Sequence, residues 1–164
     1  MIKRLALCAA SLLLAAAPAT PIGPVALAPQ PGSKLDATAR VVAAADLADG
    51  GRGALVLVGS QRLGSAEPGV ALFVQVQSQR ACGSAGCSVS VYLPTKAGWT
   101  KVLDAVSGTI AVQATEHRGM HDLMVGKGDR WEWNGRAYAD TQPAPQVDLR
   151  PRHRPTKTRS PAHP

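Results

Sequence analysis

Two cysteines, two histidines and a cluster of aromatic residues are the side chains here whose types and spacing could do chemistry. Cys82 and Cys87 enclose Gly-Ser-Ala-Gly. Such a pair can cycle electrons as a dithiol or pin a turn as a disulfide. Redox dithiols usually keep two residues between the thiols and lower one thiol pKa at a helix N-terminus. Here four small residues intervene, and they tolerate the tight curvature of a hairpin. The spacing therefore predicts a structural disulfide, worth about 2 kcal/mol on the chain-entropy model.

His117 and His121 stand four apart, with Glu116 and Asp122 beside them. On a helix this spacing would put both imidazoles on one face for a metal ion. Gly119 and the surrounding alternation favour strands instead, where positions four apart lie roughly 13 Å from each other. Only a turn at Arg118-Gly119 would bring the rings together, and a closed metal site needs further ligands. No metal or other cofactor is expected. His117, His121 and Asp122 carry the alternative functional reading, an envelope hydrolase or metal-dependent enzyme. The stretch from Asp46 to Ala54 has the outline of a calcium loop, but oxygen ligands must sit at alternate positions. Ala48 and Gly50 occupy the third and fifth, and Asp49 is out of step. There is no Gly-x-Ser-x-Gly elbow, phosphate loop or zinc-protease helix, and the carboxylates are scattered. A non-enzymatic protein is the leading expectation.

The candidate binding face is aromatic. Trp131-Glu-Trp133 and Arg136-Ala-Tyr138 flank Asn134-Gly135, the preferred pair for a two-residue hairpin turn. That register sets Trp133 opposite Arg136 and Trp131 opposite Tyr138, all on one side. Such a face can stack on a ligand, or it can supply the bulk of a small core.

The elements that position these residues form one α+β domain, mostly β, expected over residues 36–140. Ser33-Lys-Leu-Asp36 has the spacing of a capping box, and Gly50-Gly51 would end an alanine-rich helix over 36–49. Ala54 to Val58 is a continuous apolar run, as in a buried strand. Val70, Leu72, Val74 and Val76 then share a face opposed by Gln75 and Gln77. Val89, Val91 and Leu93 alternate with Ser88, Ser90 and Tyr92, and Ile110, Val112 and Ala114 alternate with Thr109 and Gln113. These periods of two predict half-buried strands of a small antiparallel sheet, one N-terminal helix beside it, and the cysteines at a turn.

The ends read differently. Residues 1–19 have a basic start at Lys3 and Arg4, an apolar run from Leu5 to Ala17, and a small-x-small Ala17-Pro18-Ala19 site. This is the pattern of a cleaved signal peptide, which would discard Cys8 and place the protein in the periplasm or outside the cell, with no transmembrane segment. Residues 20–35 are expected to be a flexible Pro/Gly lead-in. Residues 141–164 are expected to be a disordered, basic, proline-rich tail. The net charge of +7 belongs to these ends. From Asp36 to Asp140 ten Lys/Arg balance ten Asp/Glu, whereas the tail sets Arg150, Arg152, Arg154, Lys157 and Arg159 against Asp148. A nucleic-acid partner is not expected, because no folded basic face carries the charge. A cell-envelope polymer or anionic lipid surface is the partner that a basic tail would suit, and mere solubilisation is the simpler role.

Several of these pieces together resemble a diffuse group of bacterial exported proteins of unknown function. The shared pattern is a Cys-Gly-x-x-Gly-Cys turn (Cys82 to Cys87), a glycine-aromatic step (Gly98-Trp99), a Gly-x-x-Asp-Leu segment (Gly119 to Leu123) and a terminal aromatic hairpin with Asn-Gly before a tyrosine (Trp131 to Tyr138). In that group an acidic Asp-Leu-Asn-Gly-Asp-Gly loop often precedes the turn. Here the equivalent stretch, Asp46 to Ala54, has lost most of its acids. The resemblance covers roughly residues 40–140 and implies the same β-rich fold without implying an activity.

Overall fold

In the computed structural model the described residues are 22–64 and 70–142. The expected signal peptide and nearly all of the expected basic tail lie outside them.

Ser33 starts the helical segment. Its hydroxyl accepts from the Asp36 N–H at 3.0 Å, which satisfies one of the unpaired donors at a helix start. Helix α1 (Lys34–Val42) is followed at once by α2 (Ala44–Gly50), and Gly51, at φ +81°, ends the run. Two helices thus stand where one was expected. The break is at Ala43, whose backbone leaves helical geometry (φ −102°, ψ 23°) directly after the β-branched pair Val41-Val42. The change of direction keeps Ala39, Ala43 and Leu47 against the same sheet.

That sheet is antiparallel. It contains β2 (Leu55–Gln61), β3 (Ala71–Gln77), β5 (Gly86–Thr95) and β6 (Gly98–Ser107) in spatial order, with the short β4 (Cys82–Gly83) hairpinned onto the start of β5. A second antiparallel sheet runs β1 (Gly23–Pro24), β7 (Ile110–His117), β8 (Met120–Val125), β9 (Asp129–Trp133) and β10 (Tyr138–Asp140). Ala71, Phe73, Val89 and Val91 of the first sheet join Ile110, Val112, Leu123 and Val125 of the second in one core. Leu72, Val74 and Tyr92 point the other way, into a core shared with the helices. The first sheet is therefore a middle layer with both faces covered.

This placement corrects two strand expectations. Strand β3 is not half-buried, for Ala71, Leu72, Phe73 and Val74 are all buried. Strand β2, whose apolar run suggested full burial, alternates instead, with Leu55 exposed and Val56 and Val58 inside. It lies at the sheet edge, where the outer face is only partly covered.

The lead-in is not loose either. Gly23 and Pro24 pair with Val112 and Ala111, the Val25 N–H donates to the Ile110 carbonyl, and Ala28 and Val58 exchange both backbone hydrogen bonds. Proline suits such an edge position because it has no N–H to leave unpaired. Gly59 lets this strap lie close, since a Cβ there would collide with the Ala26 carbonyl oxygen.

Cys82 and Cys87 are cross-strand partners and are joined by a disulfide. The turn between them is the expected staple, beside the Ser78 hydroxyl that caps the N–H groups of Arg80 and Ala81.

Candidate functional site

The connections β5–β6, β7–β8 and β9–β10 leave the meander at one end of the two sheets, and each carries a cation there. Lys96 is in the first turn. Arg118 is in the second, at φ +52°, a strained conformation for a residue with a Cβ. Arg136 is in the third. Together they line an open groove of about 560 Å³ whose floor is Leu93, Val102, Met120 and the Trp133 ring. No carboxylate lines it, and none of the three cations has an ion-pair partner among the described residues.

The third turn differs from the expected one. Trp133 pairs with Tyr138 and Trp131 with Asp140, so four residues, Asn134 to Ala137, form the connection. The Asn134 carboxamide oxygen accepts from the N–H groups of Arg136 and Ala137 at 2.9 and 3.0 Å, and the Asn134 N–H donates to the Ala137 carbonyl at 3.1 Å. Those three bonds favour the wider turn over a two-residue one. Arg136 is thereby released from the ladder into the groove. Gly135 has φ +103°, and a Cβ on it would press against the Arg118 guanidinium at 3.1 Å. The Arg118 side chain lies over this glycine, which ties two of the cationic turns together.

The four residues of the expected aromatic face separate. Tyr138 is only 5 % exposed and donates its hydroxyl hydrogen to the His121 carbonyl at 2.8 Å. Trp131 packs on the inter-sheet core, with its indole N–H buried and without an acceptor among the described residues. Trp133 meets the Tyr138 ring edge-on at 5.4 Å and also borders the groove. Trp133 and Arg136 are thus the two that a ligand can reach.

The histidines also separate. His121 Nε2 lies 3.2 Å from Glu116, its cross-strand partner, and His121 Nδ1 is buried without a partner among the described residues. His117 belongs to a different network centred on Asp122, whose side chain is fully buried. Asp122 Oδ1 accepts from His117 Nδ1 at 2.6 Å. Its Oδ2 accepts from the Thr115 hydroxyl at 2.5 Å and from Arg130 at 2.7 and 3.1 Å. Burial alone would push the Asp122 carboxyl pKa up. The donors from Thr115, His117 and Arg130 outweigh it and hold the group below the usual carboxylate range. Glu132 closes the network, 3.5 Å from His117 Nε2 and 3.4 Å from Arg130.

His117, Asp122 and Glu132 offer three ligand atoms within 4.8 Å of one another. The Arg130 guanidinium already supplies the positive charge that both carboxylates face, so a metal ion would have to enter against it. His117, His121 and Asp122, the set proposed from spacing, do not converge on one point. The β7–β8 turn does bring His117 and His121 close in the chain's path, but their ring partners lie in separate clusters.

Sequence reasoning missed Lys96 and Arg118. The available signal was topological: in a run of antiparallel hairpins every second turn falls at the same end, and Lys96, Arg118 and Arg136 each sit in such a turn. No family model matches the chain, and neither a curated protein nor a solved structure matches it.

Proposed function

We propose that this is an exported, non-enzymatic protein that binds an anionic cell-envelope polymer in the groove between its three hairpin turns. The observation that carries this reading is the convergence of Lys96, Arg118 and Arg136 around Trp133 with no carboxylate in the lining. Three unneutralised cations raise the local concentration of an anionic ligand, and the Trp133 face with its apolar floor gives a sugar ring or short apolar unit a place to stack. The strained Arg118 backbone fits a residue held for contact rather than for stability.

Export rests on two supports. The N-terminal sequence has the form of a cleavable signal, and the Cys82–Cys87 disulfide suits an oxidising compartment. No helix among the described residues is long and apolar enough to cross a membrane. The basic residues beyond position 142 add charge of the same sign as the groove, so both would be drawn to one polyanion.

The test is cosedimentation of the secreted chain with purified peptidoglycan sacculi, with phosphatidylglycerol vesicles alongside. Replacing Lys96, Arg118 and Arg136 together by alanine should weaken binding to sacculi by about tenfold or more, and the wild-type affinity should fall steeply with salt. Unchanged binding by the triple variant, with loss only on removing residues 143–164, would move the interaction to the tail and refute the groove.

A further inference from the structure

Leu47 packs α2 on the sheet, and beside it, towards the C-terminal end of α2, a pocket opens between helix and sheet. Around α1 the same layer is packed by Leu35, Val42, Val56, Val58 and Leu72. Small residues, Gly50, Ala81, Ser88, Ser90 and Ala105, line this open pocket of about 270 Å³, and Val74 and Val76 form its floor. Val74, Val76 and Ser90 are buried at its base, whereas Asp49, Arg80 and Ala105 are exposed at its mouth.

The polar groups around the pocket are placed for a ligand. Ser90 is 4 % exposed, and its hydroxyl oxygen accepts from the Ala105 N–H at 3.1 Å. No acceptor among the described residues takes the hydroxyl hydrogen. Ala105 reaches that position at φ +47°, on a bulge where the β5–β6 register slips between Val89 and Val91. An alanine held in the left-handed region is strained, and such strain gathers at binding sites. Charges of both signs stand at the rim. Asp46 is engaged by the Tyr92 hydroxyl and by Lys101, each at 3.1 Å. The Asp49 carboxylate and Arg80 guanidinium, which also line the cavity, make no ion pair with any described residue. They come from different walls, Asp49 from α2 and Arg80 from the turn after β3.

We propose that this cavity binds a small zwitterion of the α-amino acid class, its ammonium group on Asp49, its carboxylate on Arg80, and a short side chain over Val74 and Val76. The Ser90 hydroxyl donates to the ligand carboxylate. The volume accommodates a free amino acid, and the paired rim charges rather than the size select it. The cavity shares no lining residue with the groove, so the two sites stand or fall separately.

The experiment is an NMR titration of the folded chain with glycine, L-alanine and D-alanine, using acetate and methylamine as single-charge comparators. Saturable shifts of the Ser90 and Ala105 amides are expected with the amino acids at millimolar concentration. The comparators should bind about tenfold more weakly or worse, because each leaves one rim charge unmet. The surface substitutions Asp49→Asn and Arg80→Gln should each cost about tenfold without disturbing the fold. Ser90→Leu should fill the pocket and abolish the shifts; if that variant does not fold, the two surface variants decide. Absence of saturable shifts, equal binding of acetate and alanine, or undiminished binding by both surface variants would overturn the proposal.

Discussion

Replacing Asp122 by asparagine tests the network that ties β7, β8 and β9 together. The side chain keeps its shape and loses its charge. In the native protein one carboxylate oxygen takes the His117 bond and the other takes those from Thr115 and Arg130. An amide cannot accept on both sides. Its oxygen must stay with Arg130, its NH₂ must face His117, and the imidazole must change tautomer to accept. What is lost is the charge assistance of the Arg130 bonds, at about 1 kcal/mol or more for each strong bond, plus part of the His117 bond. Arg130 and His117 are each 40 % exposed, so water recovers part of the loss. The expected cost is about 2 kcal/mol, which for a domain of this size lowers Tm by roughly 10 °C. The pH dependence has a definite sign. The Asp122 pKa is depressed in the folded state, so its contribution is present above the unfolded carboxyl value of about 3.9 and is lost as pH falls through the folded one. Urea denaturation at about pH 7 and again at about pH 2 measures both. A difference below about 0.5 kcal/mol at neutral pH, or one that stays constant into acid, would refute the reasoning.

The Tyr92 phenol is pushed up to about 12, first by burial and then by the Asp46 carboxylate it bonds. Its contribution to stability should be complete below the ordinary phenol value of about 10 and should disappear as pH rises towards the folded value. Comparing ultraviolet phenolate titrations of wild type and Tyr92→Phe checks this. Reducing the Cys82–Cys87 bond should cost about 2 kcal/mol, read as a lower Tm with unchanged far-ultraviolet circular dichroism. Gly135→Ala should destabilise by about 1 kcal/mol or more through its positive φ, and should also weaken sacculus binding by displacing Arg118. Phe73→Ala, which empties the middle of the inter-sheet core, should cost about 3–5 kcal/mol in denaturant unfolding.

Strand periodicity, the Ser33 cap and the cysteine turn were legible in the chain because each is a local pattern with a local cause. Strand β3 was misread because Gln75 and Gln77 suggested a wet face. The residues that decide its burial, Ala71 and Phe73, depend on a second sheet whose packing no local period announces. The aromatic hairpin was recognised but mis-registered. Asn134-Gly135 is the usual signal for a tight turn, and the choice was made instead by the Asn134 side chain bonding two N–H groups beyond it. The histidine pair shows the opposite limit. A spacing of four suggested a shared ion, whereas the actual partner of His117 is Asp122, across a β7–β8 pairing that is irregular between Val112 and Glu116. The groove was invisible because its three cations lie far apart in sequence and meet only through the end-to-end order of the hairpins.

The strap of residues 22–33 has a further consequence, for solubility. Strands β2 and β7 would otherwise end their sheets with bare rows of N–H and C=O groups, the surface through which sheets recruit other chains. Gly23 to Val25 occupies the β7 row, and Ala28 occupies part of the β2 row. Both rows are partly covered by the chain's own first described residues, which pair with partners that follow much later in sequence. Ala28 can meet β2 early, but the Gly23–Val25 end has no partner until β7 has formed, so completing the cover depends on a strand made late in the chain.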